Sequence, residues 1–239
     1  MSRLLILGGC PLPGENDRPA SREGTCAWTL IRPLREAGHD VRFMALRDEN
    51  DYRHPVPPAV RHRREDGFCY EALNAEFFSD AKLLVVRQDD WRPDAVIGAG
   101  SIPAARMAVL SAEAAQCPAW VDLPQDLLAE IRSNVEIGLA IQTILARADR
   151  VSVASRERED VVLGQLGLVG RLNRHMVGET FTCVIPAAEK STDLSESPSG
   201  GCGAGIEELL RWAGAPSFAA DRAAIGRTVP LNSLHASFF

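Results

Sequence analysis

The sequence predicts an α/β fold, doubly wound around a mainly parallel sheet of about six strands. Three observations carry this. Short apolar runs recur through the first 187 residues, several of them ending in glycine or aspartate. Stretches with apolar residues at helical spacing separate them. The chain has 239 residues, 46% hydrophobic and 24% charged, which supplies a sizeable core and excludes a disordered chain, a collagen-like fibre or a disulfide miniprotein.

Arg3–Gly9 reads as the first strand, ending in Gly8 and Gly9. Residues 10–24 form a polar loop rich in Pro and Gly, and Thr25 caps a helix that stops at Gly38. Pro33 falls inside that helix and predicts a kink or a late start. Asp40–Leu46 alternates weakly and reads as a second strand. Residues 48–66 read as a charged loop holding the basic run Arg61, His62, Arg63 and Arg64, a solvated segment or a contact for a phosphate-bearing or lipid-linked group. Residues 67–91 read as helical, in one or two pieces. Asp94–Gly98 is a short buried strand, 102–115 a helix, and Pro118–Leu123 a fourth strand. Residues 125–148 repeat apolar residues at helical spacing. Arg150–Ala154 is a fifth strand, Ser155 caps the next helix, and Phe181–Ile185 is a sixth strand closed by Pro186.

Composition shifts near residue 188. Residues 189–203 are Ser/Gly-rich and read as a linker, and 206–213 has the length of two helical turns. The domain organisation expected is 1–187 as the α/β domain and 188–239 as a linker and irregular, poorly packed tail with a short helix.

Right-handed crossovers place all strand C-termini on one edge, where open α/β sheets bind ligands. The residues there are Gly8, Gly9, Arg47, Asp48, Gly98–Ser101, Asp122, Leu123, Ser155 and Arg156. Glycine at 8 and 9 permits close backbone approach, or only a turn. Gly98, Gly100 and Ser101 open a helix after a strand, part of a dinucleotide fingerprint with Asp122 at the place of its ribose acid. Pro103 stands where that fingerprint's third glycine belongs, so anion binding at the helix N-terminus competes with NAD(P) binding. Asp122 reads as a carboxylate that orients or deprotonates an acceptor hydroxyl, or as a cap for the helix that follows. Glu130 points toward the same cleft or lies on a solvated face.

No Asp-x-Asp motif occurs, no histidine pair has i, i+4 spacing, and no two of Cys10, Cys26, Cys69, Cys117, Cys183 and Cys202 have C-x-x-C spacing. No metal and no cofactor are expected, and reduced thiols fit a cytoplasmic protein. The net charge of -6 disfavours nucleic acid as a partner. No apolar run reaches the roughly 18 residues of a membrane span.

Several segments resemble the N-terminal half of bacterial GT-B glycosyltransferases. They are Leu34-Arg-Glu-Ala-Gly-His-Asp-Val41, Pro93-Asp-Ala-Val-Ile-Gly98, Trp120-Val-Asp-Leu123 followed by Glu130, and Ile185-Pro-Ala187. The most specific is Ala148-Asp-Arg-Val-Ser-Val-Ala-Ser155 with Arg156, Glu157 and Gly164-Gln-Leu-Gly167. The resemblance implies a Rossmann-like acceptor-side domain of an enzyme that moves a sugar from a nucleotide-sugar donor to a hydroxyl acceptor. It covers the first 186 residues or so and stops at Ala188. The donor-binding domain of the family is missing, as in a truncated or frame-altered gene, so a separate chain would have to supply it. Asp122 is then the expected catalytic residue, and Gly8, Gly9, Gly98, Gly100, Ser101, Glu130, Ser155 and Arg156 the expected substrate- or donor-binding set. The implied location is cytoplasmic, or peripheral to the inner membrane.

Overall fold

The computed structural model describes residues 1–15, 19–48, 56–87, 90–123, 126–172, 178, 180–186 and 203–215, with only the backbone of Leu128 and Ser133. Residues 189–202 of the expected linker 189–203, with Cys202 among them, residues 216–239 and Asp89 lie outside them.

The strands are β1 (Arg3–Gly9), β2 (Asp40–Leu46), β3 (Ala59–Arg63), β4 (Cys69–Leu73), β5 (Ala95–Gly98), β6 (Ala119–Leu123), β7 (Arg150–Val153) and β8 (Thr182–Val184). They form one sheet in the order β3-β4-β2-β1-β5-β6-β7-β8. All neighbours pair parallel except β3 with β4. The predicted doubly wound α/β fold is therefore found, with eight strands in place of about six.

The two additional strands correct the reading of residues 48–91. Arg61, His62 and Arg63 lie on edge strand β3, not in a solvated loop, and Cys69–Leu73 is strand, not helix. The hairpin turns at Asp66–Gly67, where Gly67 takes φ +81° and its N–H donates to the Arg64 carbonyl at 3.0 Å. Glycine is the residue that adopts that conformation without Cβ strain. Two short helices follow, α2 (Ala75–Phe78) and α3 (Ala81–Val86), capped by Asn74 and Asp80.

Helix α1 (Arg22–Glu36) starts a turn earlier than Thr25, because the Ser21 hydroxyl accepts the Gly24 N–H at 2.9 Å. It runs through Pro33. On the far side of the sheet lie α4 (Ile102–Ala115), α5 (Leu127–Ser133), α6 (Val135–Arg147) and α7 (Arg156–Leu168). There Leu5, Leu7, Val96, Val121 and Val153 pack beneath Ala108, Ile144 and Val162. No helix among the described residues is long and apolar enough to cross a membrane.

The α1 face raises a packing problem. One helix cannot cover both halves of an eight-stranded sheet, and every crossover from β5 to β8 lies on the opposite side. The open half carries Ile97, Trp120 and Ile185. Helix α8 (Gly203–Gly214) fills it: Leu209 and Ala213 are fully buried, and Trp212 meets Trp120 edge-on with ring centroids 5.3 Å apart. Gly205 lies so close that a Cβ there would come within 2.1 Å of the Val184 carbonyl oxygen. The Ser2 hydroxyl donates to the Ala213 carbonyl at 2.6 Å. The expectation that 189–239 is poorly packed is corrected for 203–214. The physical reason is the apolar sheet surface that this helix covers.

Candidate functional site

The sheet order reverses at β1. The chain leaves β1 toward β2 through α1 on one face, and leaves β5 toward β6 through α4 on the other. The crevice between the C-terminal ends of β1 and β5 is the switch point at which such sheets bind ligands.

The glycines predicted to receive a ligand there receive the protein's own helices. A Cβ on Gly9 would stand 2.5 Å from Glu23 Cβ, and one on Gly8 3.0 Å from Ala27 Cβ. Gly100, at φ +78°, would meet Cys26 Cβ at 2.9 Å and the Glu23 carbonyl at 3.0 Å. Gly98 would meet Ala105 Cα at 2.6 Å. Gly9 and Gly100 thus face the same first turn of α1, which sits in the crevice. Gly8 and Gly98 let α1 and α4 lie close on the strands. Helix packing therefore accounts for these four glycines by itself.

Asp122 lies inside the protein, away from solvent. Its side chain shares the α1/α8 face with Trp120 and is only 5% exposed. The Ser152 hydroxyl donates to Asp122 Oδ1 at 2.7 Å and accepts the Trp120 indole N–H at 3.0 Å. Burial pushes the Asp122 carboxyl up to about 7, against the opposing Ser152 hydrogen bond. The Cys26 thiol is pushed up to about 11 and the Cys183 thiol to about 12, first by burial and then by the nearby Asp122 charge. Neither thiol is an activated nucleophile, because the reactive species is the thiolate. Asp122 is not the cap of the next helix either. Asp126 Oδ1 accepts the Ala129 N–H at 3.2 Å at the start of α5.

Glu130 is separated from Asp122. It is half-buried on α5, whose Leu127 belongs to the core on the opposite face of the sheet. Two serines remain at the C-terminal edge. Ser101 Oγ accepts the Ala104 N–H at 3.3 Å and Ser155 Oγ the Arg158 N–H at 3.4 Å, so each caps the helix it precedes. Arg156, exposed, donates to Glu159 Oε2 at 2.6 Å, and the buried Glu159 accepts the Thr182 hydroxyl at 2.8 Å. Sequence reasoning missed the Ser152–Trp120 link. A serine at the centre of a strand beside an Asp-ending strand was its only signal.

Fold and site together define a doubly wound α/β protein whose switch-point crevice is packed by α1 and whose edge presents serine-capped helix N-termini. No family model matches the chain, and no curated protein matches it. Among solved structures it is similar to one described as "Crystal Structure of Sa239", at 12% identity over 71% of this chain and 70% of that one, with a TM-score of 0.33. Likeness at that level carries no argument about function.

Proposed function

We propose that this chain holds the acceptor-side domain of a GT-B-type glycosyltransferase, acting on a hydroxyl acceptor. The observation that supports it is the filled crevice. The first turn of α1 lies against Gly9 and Gly100, so close helix packing already accounts for both glycines without a dinucleotide. The ordered sequence segments from Leu34 to Ala187 add to this reading. The N-termini of α4 and α7, at Ser101 and Ser155, offer backbone N–H groups to acceptor oxygens. Asp122 stiffens the wall behind them through Ser152 and Trp120.

The test is a titration of the whole chain with glycan and lipid-linked hydroxyl acceptors, nucleotide-sugars, NAD(H) and NADP(H), followed by backbone amide shifts. Acceptor-dependent shifts confined to residues 98–101 and 155–156 are expected. Micromolar NAD(P) binding at Gly98–Ser101, lost in Asp122→Ala, would overturn the proposal in favour of a dinucleotide-binding oxidoreductase.

A further inference from the structure

The outer flank of α1 carries Trp28, Arg32 and Arg35, and the β3–β4 turn brings Arg64 and Asp66 beside it. With Glu36 they line a cavity of about 500 Å³. That volume falls within the range of roughly 300–1,000 Å³ typical of small-molecule sites. It lies between α1 and the hairpin, apart from the β1/β5 crevice.

The Arg64 guanidinium stacks on Trp28, with Cζ 3.6 Å from the ring centroid. Its side chain is 10% exposed, and its Nε and Nη1 have no hydrogen-bond partner. The nearest acid is Asp66, whose Oδ1 stands 3.4 Å from Arg64 Nε but accepts the Phe68 N–H at 3.0 Å. Asp66 Oδ2 accepts from Arg35 at 3.0 Å. Arg32 is tied to Glu36 at 2.8 Å. Three guanidiniums, of Arg32, Arg35 and Arg64, therefore line the cavity against two carboxylates, of Glu36 and Asp66. Glu15, buried behind the hairpin, also acts on the Arg64 charge, so the cationic character of the cavity wall rests on the more exposed Arg32 and Arg35 beside the stacked Arg64. Arginine donors along a cavity wall favour an anionic acceptor, because charge-assisted hydrogen bonds are the strong ones.

We infer that this cavity binds a phosphoryl group, carried either by a small phosphate ester or by a lipid headgroup. A carboxylate offers two oxygens, whereas a phosphoryl group offers three and can be shared by several arginine forks at once. The cavity exceeds a bare phosphate, which leaves room for the body of the ester.

The experiment titrates the whole chain with inorganic phosphate and pyrophosphate, followed by Trp fluorescence and heat, and separately with phosphatidylglycerol/phosphatidylcholine vesicles. Saturable binding with Kd of about 1 mM or tighter is expected. Arg64→Gln tests the stacked cation directly. Should it fail to fold, Arg32→Gln and Arg35→Gln remove more exposed donors and should each weaken binding about ten-fold. Arg106→Gln, exposed on α4, should leave it unchanged. Phosphate binding without vesicle binding assigns a soluble ester, and vesicle binding lost in Arg32→Gln assigns a headgroup. No saturable binding of either, or equal losses in Arg106→Gln, overturns the inference.

Discussion

Trp120 on β6 and Trp212 on α8 meet edge-to-face at 5.3 Å, joining the middle of the sheet to the far end of the described chain. Aromatic pairs in this geometry add about 0.5–1.5 kcal/mol beyond the area they bury. Leu209, fully buried in the same contact, reports on the docking of α8. Leu209→Ala should lower unfolding free energy by about 2–5 kcal/mol. Urea unfolding followed by Trp fluorescence checks it, and an unchanged midpoint would show that α8 does not cover the sheet in solution.

Asp122 should make stability fall as pH rises. Its folded-state pKa of about 7 exceeds its ordinary value of 3.8, so between those values the folded chain holds more protons than the unfolded one. Unfolding free energy therefore drops across that window, by up to about 4 kcal/mol from this group. Asp122→Asn removes the titrating proton. Its stability relative to the wild type should rise from pH 4 to about pH 7 and level off above that. Parallel stability–pH curves for the two proteins would count against a buried, protonated Asp122.

Two glycines separate packing from backbone strain. Gly98→Ala drives a methyl into α4 backbone, 2.6 Å from Ala105 Cα and 2.9 Å from the Ala104 carbonyl. Overpacking of that kind costs about 1–3 kcal/mol or more. Gly38→Ala meets nothing within 4 Å but sits at φ +83°. It should cost only the left-handed backbone penalty, about 1–2 kcal/mol. Thermal unfolding ranks them, and Gly98→Ala should be the more damaging.

Transfer from a nucleotide-sugar should be negligible for this chain alone, far below about 1 per second. Catalysis of that reaction needs donor and acceptor held together, and the proposed reading makes residues 1–187 the acceptor wall alone. A product assay over a panel of nucleotide-sugars decides it. Ordinary turnover by the isolated chain would contradict the prediction.

Much of the frame was legible in the residues. β1 and β2 match their predicted bounds, and β5 to β8 fall within a residue or two, because each is an apolar run between turn signals. The β3–β4 hairpin was not read. Ala59–Arg63 is a half-exposed edge strand with charged residues, and Cys69–Leu73 lies just before helix-forming Ala and Glu. The Asp66–Gly67 pair was the available turn signal. The site was less legible. Asp122 stands at the edge in sequence order, but its burial depends on α1 and α8, which approach it from distant parts of the chain. Likewise, a glycine that admits a ligand and one that admits a helix look alike until the helix is placed.

The covering of the sheet by α8 also sets the order of assembly. Trp120 lies against Trp212, so its cover on the α1 side is complete only once residues 203–214 are in place, although its strand belongs to the middle of the chain. That long-range closure delays completion of the fold, as non-local contacts do in general. During this interval the half-covered sheet offers an apolar surface to any neighbour, including another copy at the same stage.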